Sequence, residues 1–384
     1  MSASPLRLCV LRFAATLMCL VAVIQCGGSS PDAGGAGLPA GGGSGSGGGA
    51  SGSGSGGSGS GPAGSDDSGA GTGDASSPTT AAGGHDGGLD GSTTASDVSA
   101  PPAADAGNST ILVPAQGVLL GEYYGDGTIA ATEQRIGRRP NIHLTYYGWT
   151  EDWTTDSVPK DDFAAGRIPL VNLEPNNINF NDIVSGSLDA TIKARASGSK
   201  NLGHPFFLDF AAEMNGDEAW SGNNPALYVA AYRHIHDLFV AAGATNVIWA
   251  WCPNVTDTNG GNQMTMAYYP GDSYVDWTGV DGYNWGTSDP SFGWQSFHDV
   301  FKDIYPLLAA KGKPIIIGEM ASDEVGGSKS QWIADMVPTL RTDFPSIKAF
   351  VWFDVKKERD WEINSSASSL AAYVTLAADP FTNP

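Results

Sequence analysis

The sequence predicts one eight-stranded α/β barrel in residues 111–384, and three observations support this prediction. Short apolar runs recur eight times, and stretches long enough for a helix separate them. Most of the runs end in glycine, aromatic or acidic residues. The segment is also close to the ~250 residues that are typical of such a barrel. A strand that alternates with a helix eight times favours a closed barrel over an open sheet.

Residues 1–26 have the pattern of a signal peptide. Arg7 and Arg12 precede an apolar stretch that is too short and too early for a membrane span. The stretch ends at Cys26, before residues that cannot pack, so the sequence predicts export with a lipid anchor at Cys26. We expect the protein on the outer surface, in the periplasm or secreted. Cys252 alone remains in the predicted barrel, where we expect an unpaired, half-buried thiol.

Residues 27–110 consist mainly of Gly, Ser, Ala and Asp, and they are predicted to form a disordered tether because they have no apolar core to bury. No Lys or Arg occurs between Arg12 and Arg135, and the net charge of the whole chain is −21. Nucleic-acid binding needs a basic surface, so this charge excludes that class of function. We expect a monomer with no metal and no cofactor.

The eight predicted strands are apolar runs rather than clean alternations, as expected of parallel strands that are covered on both faces. They span residues 117–125, 141–148, 167–175, 205–215, 246–254, 275–284, 313–320 and 347–355. The clearest helix follows the fourth strand: Asn224 is placed to cap it, Pro225 takes the first helical position and Gly243 ends it.

Chemistry in such barrels lies at the carboxyl ends of the strands, and here those ends are rich in aromatic and acidic residues. Aromatic rings stack on the apolar faces of sugars, and carboxylates accept hydrogen bonds from hydroxyls, so these residue types predict a polysaccharide groove. Cleavage of a glycoside needs two carboxyl groups in unlike environments. Glu213 and Glu319 are the best pair, whereas Asp209, Glu122 and Glu174 are interpreted as structural carboxylates.

Five motifs, EMNGDEAW, NVIWAWCPN, VDWTGVDGYNWG, KPIIIGEM and KAFVWFDV, resemble glycoside hydrolase family 26, the β-mannanase family, in order and spacing. The resemblance covers nearly all of residues 117–370. It implies a retaining mechanism with two carboxyl groups about 5–5.5 Å apart. It also implies roles for these residues: Glu213 as acid/base, Glu319 as nucleophile, Tyr283 as the phenol that positions the nucleophile, Trp352 as the ring beneath the cleaved sugar, and Trp220 as the loop tryptophan beside the acid/base. Further substrate contacts are expected from Asn215, Trp251, Trp285 and Tyr147.

The chain departs from the family pattern at two positions. Asp209 and Ala212 stand where the family usually has an arginine and a histidine. Mannan, mixed-linkage β-glucan and β-1,3-xylan therefore all stay open as substrates. An alternative function is a tethered carbohydrate-binding protein with weak or lost activity, although the presence of both glutamates favours an enzyme. Five loop tryptophans could be either loop cores or sugar platforms: Trp149, Trp153, Trp220, Trp285 and Trp294.

Overall fold

The computed structural model describes residues 111–125, 127–216, 220, 222–288 and 290–384. The predicted signal peptide, the predicted anchor at Cys26 and the predicted tether lie outside these residues. Among the helices of the described part, none is long and apolar enough to cross a membrane.

Eight parallel strands form a closed barrel in chain order, and the first strand pairs with the last, which confirms the predicted architecture. The strands are β1 (Leu119–Tyr123), β2 (Ile142–Gly148), β3 (Ile168–Glu174), β4 (Phe206–Phe210), β5 (Val247–Trp251), β6 (Trp277–Asn284), β7 (Ile315–Ser322) and β8 (Ile347–Phe353). β4 ends before its predicted limit because Ala211 and Glu213 adopt positive φ angles of 54° and 56°. Such angles lie outside the extended region that a strand requires.

The helices lie between consecutive strands and after β8. They are α1 (Ile129–Ile136), α2 (Val158–Ala165), α3 (Phe180–Val184), α4 (Asp189–Leu202), α5 (Pro225–Ala242), α6 (Phe297–Phe301), α7 (Tyr305–Ala309), α8 (Lys329–Ala334), α9 (Met336–Thr342) and α10 (Ala367–Ala378). A short 3-10 turn spans Thr265–Tyr268. The predicted signals of α5 are confirmed: the Asn224 side chain accepts a hydrogen bond from Leu227 N at 3.1 Å, and Gly243 ends the helix with a φ of 72°.

The strand side chains divide between two buried layers, one inside the barrel and one between the barrel and the helices. In β8, Ala349 and Val351 face the interior, whereas Phe350 and Trp352 face the helices. This alternation follows from the period of two residues in a strand. Each residue at a strand end therefore points either into the barrel mouth or into the helix layer.

The amino-terminal end of the barrel interior is covered by the first described residues. Ile111, Leu112 and Val113 pack against the interior cluster, and Trp277 Nε1 donates to the Ile111 carbonyl at 3.1 Å. The opposite end, where the strands finish, carries the candidate catalytic residues.

Candidate active site

Glu319 reaches the barrel mouth through a bulge in β7. Val280 of β6 pairs with Ile317 of β7. The next residue of β6, Asp281, pairs with Glu319, so β7 carries one extra residue at Gly318. Ile317 faces the helix layer, and strict alternation would turn Glu319 the same way. A bulge re-aims the side chain that follows it, and Glu319 therefore points into the mouth.

Gly318 has no side chain because its neighbours occupy that space. A Cβ added there would lie 2.6 Å from Asp281 Oδ1 and 3.1 Å from Cys252 Sγ. The first distance is shorter than real Cβ contacts allow, so a larger residue at this position would displace the Asp281 side chain or the bulge.

Two phenols hold the Glu319 carboxylate, one on each oxygen. The Tyr146 hydroxyl donates to Oε1 at 2.5 Å, and the Tyr283 hydroxyl donates to Oε2 at 2.7 Å. Burial raises the pKa of Glu319, and the two phenol hydrogen bonds act in the opposite direction because they favour the ionised form. The expected contact with Tyr283 is present, and Tyr146 is a second partner that the sequence reasoning did not assign.

Glu213 follows β4 in a conformation that is uncommon for a residue with a side chain. Its φ is 56°, and its backbone N–H donates to the Cys252 carbonyl at 2.8 Å. Asn254 Nδ2 donates to Glu213 Oε1 at 3.0 Å. A backbone of this kind costs of order 1–3 kcal/mol and is typical of functional sites. The hydrogen bonds fix both the backbone and one carboxylate oxygen of Glu213.

Both glutamates act electrostatically on the same neighbours. The charges of Glu319 and Glu213 contribute to the raised pKa of the Tyr283 phenol, after burial as the largest cause. The two carboxylates likewise contribute to the raised pKa of Asp281, which burial dominates. The backbone of Asp281 forms an isolated β-bridge with Asn254 on one side and pairs with Glu319 of β7 on the other. The structure therefore places the two candidate catalytic carboxyl groups around one point at the mouth.

Beneath Glu319 lie the buried carboxyl groups of Asp209 and Asp281 and the buried thiol of Cys252. Asp209, on β4, is 2% exposed, and burial raises its pKa to about 7, with the Glu319 charge acting in the same direction. The Cys252 thiol lowers the pKa of Asp209 in part by hydrogen bonding. Cys252 is unpaired, as expected, but it is completely buried rather than half-buried.

An aromatic wall surrounds the Tyr283 ring. Its centroid lies 5.1 Å from that of Trp361, 6.0 Å from that of Trp285 and 6.0 Å from that of Phe353. Phe353 in turn stacks on Tyr123 at 4.9 Å. Rings in such an arrangement provide apolar faces against which a sugar can pack. The site residues predicted from the sequence did not include Phe353, Tyr123 or Trp361.

Three aromatic residues that were expected to contact substrate face the helix layer instead. Trp352 is completely buried, lies 5.7 Å from Trp332 and donates from Nε1 to the Trp361 carbonyl. Trp251 is also completely buried, and Tyr147 is 5% exposed. These three assignments are wrong. In each case the inward-facing residue is the one next to the assigned residue in the chain. Phe353, Cys252 and Tyr146 are the neighbours that point inward.

Asn215 was expected to bind substrate but braces the loops instead. It is 4% exposed, and its Nδ2 donates to the Asn254 carbonyl, Asp257 Oδ1 and Thr265 Oγ1, each at 3.1 Å. Its Oδ1 accepts from Asn254 N at 2.8 Å. Asn215 therefore positions Asn254, the residue that binds Glu213, and the assignment as a substrate contact is wrong.

The loop tryptophans divide between the two interpretations. Trp149 and Trp153 are 6% and 0% exposed and form a loop core around Arg195. Trp220 and Trp285 are half-buried on the catalytic face, as is Trp294. Trp220 Nε1 donates to the Ala212 carbonyl at 2.7 Å, so its ring lies beside the acid/base candidate. Substrate contact by Trp220 and Trp285 stays a prediction.

Two cavities of the described residues lie away from this centre. One, of about 610 Å³, is bounded by the loop after β2 and by α4, and includes Trp149 and Arg195. The other, of about 480 Å³, lies between Pro114, Leu119 and Pro384. Neither is lined by Glu213 or Glu319. The barrel mouth, where carboxylates and rings converge, remains the best candidate for chemistry.

Residues 168–368 match the family model described as Glycosyl hydrolase family 26. This span is more than half of the chain and includes both candidate carboxylates. The chain belongs to glycoside hydrolase family 26. The family resemblance that the motifs indicated is thereby confirmed.

Curated relatives of this family 26 chain carry two kinds of name. Endoglucanase H of Acetivibrio thermocellus is 39% identical over 283 residues, which is 70% of this chain and 31% of that protein. A mannan endo-1,4-β-mannosidase of Bacillus subtilis strain 168 is 26% identical and matches 53% of this chain and 54% of its own length. The chain thus spans about a third of the first relative and about half of the second.

Solved structures of family 26 enzymes share the fold. The β-mannanase of Bacteroides ovatus superposes with a TM-score of 0.53 at 14% identity and covers 70% of this chain and 90% of its own. The catalytic domain of an endo-β-1,4-mannanase from Bacillus sp. JAMB-750 gives a TM-score of 0.54 at 17% identity, with 69% and 86% covered. At these identities the comparison supports the barrel architecture.

Proposed function

We propose that this chain is a retaining, endo-acting β-glycanase in which Glu319 is the nucleophile and Glu213 the acid/base. One observation carries the proposal: Glu319 is held between the hydroxyls of Tyr146 and Tyr283, and the Glu213 charge contributes to the raised pKa of the same Tyr283 phenol. Two carboxyl groups in unlike settings are what a two-step displacement requires. The separation of about 5–5.5 Å between them stays a prediction of this mechanism.

In the first step, the Glu319 carboxylate attacks the anomeric carbon while the glycosidic C–O bond breaks. Glu213 gives its proton to the leaving oxygen. In the second step, ionised Glu213 takes a proton from water, which attacks the same carbon and releases Glu319. Asn254 holds Glu213 Oε1 throughout, and Tyr283 and Tyr146 keep Glu319 ionised and oriented.

Mannan is the substrate that the family resemblance favours, and mannan-cleaving names also occur among the relatives. A second candidate is a β-glucan, because Ala212 stands where the family usually has histidine and the 39% identical relative is named an endoglucanase. The two sugars differ in the orientation of one ring hydroxyl. Assays of new reducing ends on mannan, glucomannan, lichenan and β-1,3-xylan would identify the substrate. Binding to one of these without any cleavage would support the carbohydrate-binding alternative.

Chemical rescue tests the two roles. Replacing Glu319 with Ala should nearly abolish turnover, since the nucleophile is lost. With an activated aryl glycoside, Glu213→Ala should complete the first step and stall in the second, so added azide should restore the rate and yield a β-glycosyl azide. Glu151→Ala, an exposed carboxylate in the loop after β2, is the control and should leave the rate unchanged. A β-azide from Glu319→Ala instead of Glu213→Ala would mean that the roles are exchanged.

We also propose that the chain is exported and anchored by a lipid on Cys26, with residues 27–110 as the tether between anchor and enzyme. The support is the sequence pattern of residues 1–26 and the apolar-poor composition that follows. Expression of the whole chain in a bacterium that processes lipoproteins should place the activity in the membrane fraction. Cys26→Ser should move it to the soluble fraction, and equal membrane association of both proteins would contradict the anchor.

A further inference from the structure

Phe292, in the loop after β6, is a large apolar side chain that is exposed on the catalytic face. It is 43% exposed, and its ring stacks on that of Trp285 with centroids 5.1 Å apart and planes inclined by 19°. Trp285 is itself half-buried. The pair therefore presents a layered aromatic surface, of which Phe292 is the outer part.

This surface is continuous with the catalytic centre. Trp285 lies 6.0 Å from Tyr283, the phenol that donates to Glu319, and packs edge-on against Trp361 at 5.2 Å. Adding the two centroid distances, 6.0 and 5.1 Å, puts Phe292 at most 11.1 Å from the Tyr283 ring. Phe292 joins this series of rings through Trp285 and is its most exposed member.

Hydrogen bonds from neighbouring loops hold the platform in place. Ser288 Oγ donates to Asp323 Oδ2 at 2.6 Å, and Thr287 N donates to the Val325 carbonyl at 2.9 Å. On the other side, Arg359 Nε donates to the Trp285 carbonyl at 3.3 Å, and its guanidinium lies 5.4 Å from the Trp285 ring. A surface that is already ordered loses little conformational entropy when a ligand binds.

We propose that Trp285 and Phe292 form an accessory subsite that stacks a pyranose ring of the β-glycan chain other than the sugar that is cleaved. The proposal rests on the proposed glycanase function. The ring faces supply an apolar contact suited to the C–H face of a pyranose. A polysaccharide has further rings to stack on Phe292, whereas an aryl glycoside of a single sugar has none.

The test compares Phe292→Ala with the wild-type chain on soluble glucomannan and on a short 4-nitrophenyl β-glycoside. The ratio of kcat/KM for the long substrate to that for the short one should fall about tenfold, mainly through KM, as expected from the loss of roughly 1.4 kcal/mol of stacking. Phe292→Tyr keeps the ring and should keep the ratio. Val240→Ala, an equally exposed apolar residue on α5, is the control and should also keep it.

The outcomes separate the two proposals. If the wild-type chain cleaves none of mannan, glucomannan, lichenan and β-1,3-xylan, the glycanase function fails; otherwise the polysaccharide that is cleaved best serves as the long substrate beside the short glycoside. If it cleaves both and Phe292→Ala leaves the ratio unchanged, the function stands and the subsite is overturned. A melting temperature that falls in Phe292→Ala while the ratio stays constant would identify the stack as loop packing alone, and would likewise overturn the subsite.

Discussion

At the residue scale, the hydroxyl groups around Glu319 govern its ionisation. Tyr146 donates from β2 and Tyr283 from β6, on opposite sides of the barrel, and both lower the pKa that burial raises. Glu319, as the proposed nucleophile, must be ionised in the free enzyme. These two phenols therefore set how acidic a medium the enzyme tolerates.

Tyr146→Phe removes one of these donors, so the pKa of Glu319 should rise further. The acid limb of kcat/KM against pH should move upward by about one pH unit, since a hydrogen bond to a charged group contributes roughly 1.5–3 kcal/mol. Tyr147→Phe, which changes the neighbour in the helix layer, is the matched control. An unchanged acid limb in Tyr146→Phe would show that this phenol does not act on the nucleophile.

Asp209 has a pKa of about 7 in the folded chain, above its ordinary value of 3.8, so the folded state binds this proton more tightly than the unfolded state. Its contribution to stability is present below about pH 4 and is lost as the pH rises through 7. Asp209→Asn removes this loss. The difference in free energy of unfolding between Asp209→Asn and wild type, measured by urea denaturation, should therefore favour the variant by a few kcal/mol more at pH 8 than at pH 4. A difference that is constant with pH would contradict the burial of an ionisable carboxyl.

At the element scale, the bulge in β7 and the segment after β8 both position candidate catalytic groups. The bulge directs Glu319 into the mouth, as its pairing with Asp281 shows. The segment after β8 carries Trp361 against Tyr283 and is fastened to α8 by Lys329, which is completely buried. Burial lowers the pKa of Lys329 to about 8.

Gly318→Ala would put a methyl group 2.6 Å from Asp281 Oδ1, so the buried Asp281 side chain or the bulge must shift. Glu319 would then lose its alignment between the two phenols, and kcat on an aryl glycoside should fall by about a hundredfold, as expected for a misplacement of about 1 Å. In Gly293→Ala the added methyl meets nothing within 4 Å, so both kcat and the melting temperature should stay near wild type. Full activity of Gly318→Ala would show that β7 tolerates another path.

Lys329 Nζ donates to the carbonyls of Asp360 and Glu362 and to Ser365 Oγ, at 2.9, 2.7 and 2.9 Å. Lys329→Met keeps the shape of the side chain but leaves these acceptors without the ammonium. The free energy of unfolding should fall by about 3 kcal/mol, measured by urea denaturation. Lys193→Met, at an exposed ion pair on α4, should change it by less than about 1 kcal/mol. Equal effects of the two substitutions would contradict a fastening role for Lys329.

At the scale of the whole molecule, the barrel needs a cover at its amino-terminal end. Ile111, Leu112 and Val113 supply part of it, and the Ile111 carbonyl accepts from Trp277 Nε1. The preceding residues have a composition that offers neither a core nor a convergent polar set. The boundary between the tether and the enzyme is therefore expected just before Ile111.

A protein that begins at Asn108 should match the whole mature chain in melting temperature and in activity on soluble substrate. One that begins at Ala115 loses the three apolar residues, and its free energy of unfolding should fall by roughly 2–4 kcal/mol. Scanning calorimetry and the aryl glycoside assay check both. A large loss of turnover in the protein beginning at Asn108 would contradict the tether interpretation.

The sequence by itself determined the barrel and the order of its strands, and it singled out the two glutamates as candidates. Eight apolar runs alternating with helical stretches leave few other folds, and motifs such as GEM and EMN mark the strand ends where chemistry lies. The caps of α5 were equally readable, because Asn224 and Gly243 act through local backbone geometry.

Only the tertiary structure decided which side chain at each strand end faces the mouth. Parallel strands that are covered on both faces are apolar throughout. Their sequence therefore lacks the alternation of apolar and polar residues that would show which side chains face the barrel interior. Trp352 was therefore preferred to Phe353, and Tyr147 to Tyr146. The bulge at Gly318 also changes which side chains of β7 face inward, and the space around it is set by Asp281 of β6 and by Cys252, which follows β5. Such space is set by packing between distant segments, which no local pattern encodes.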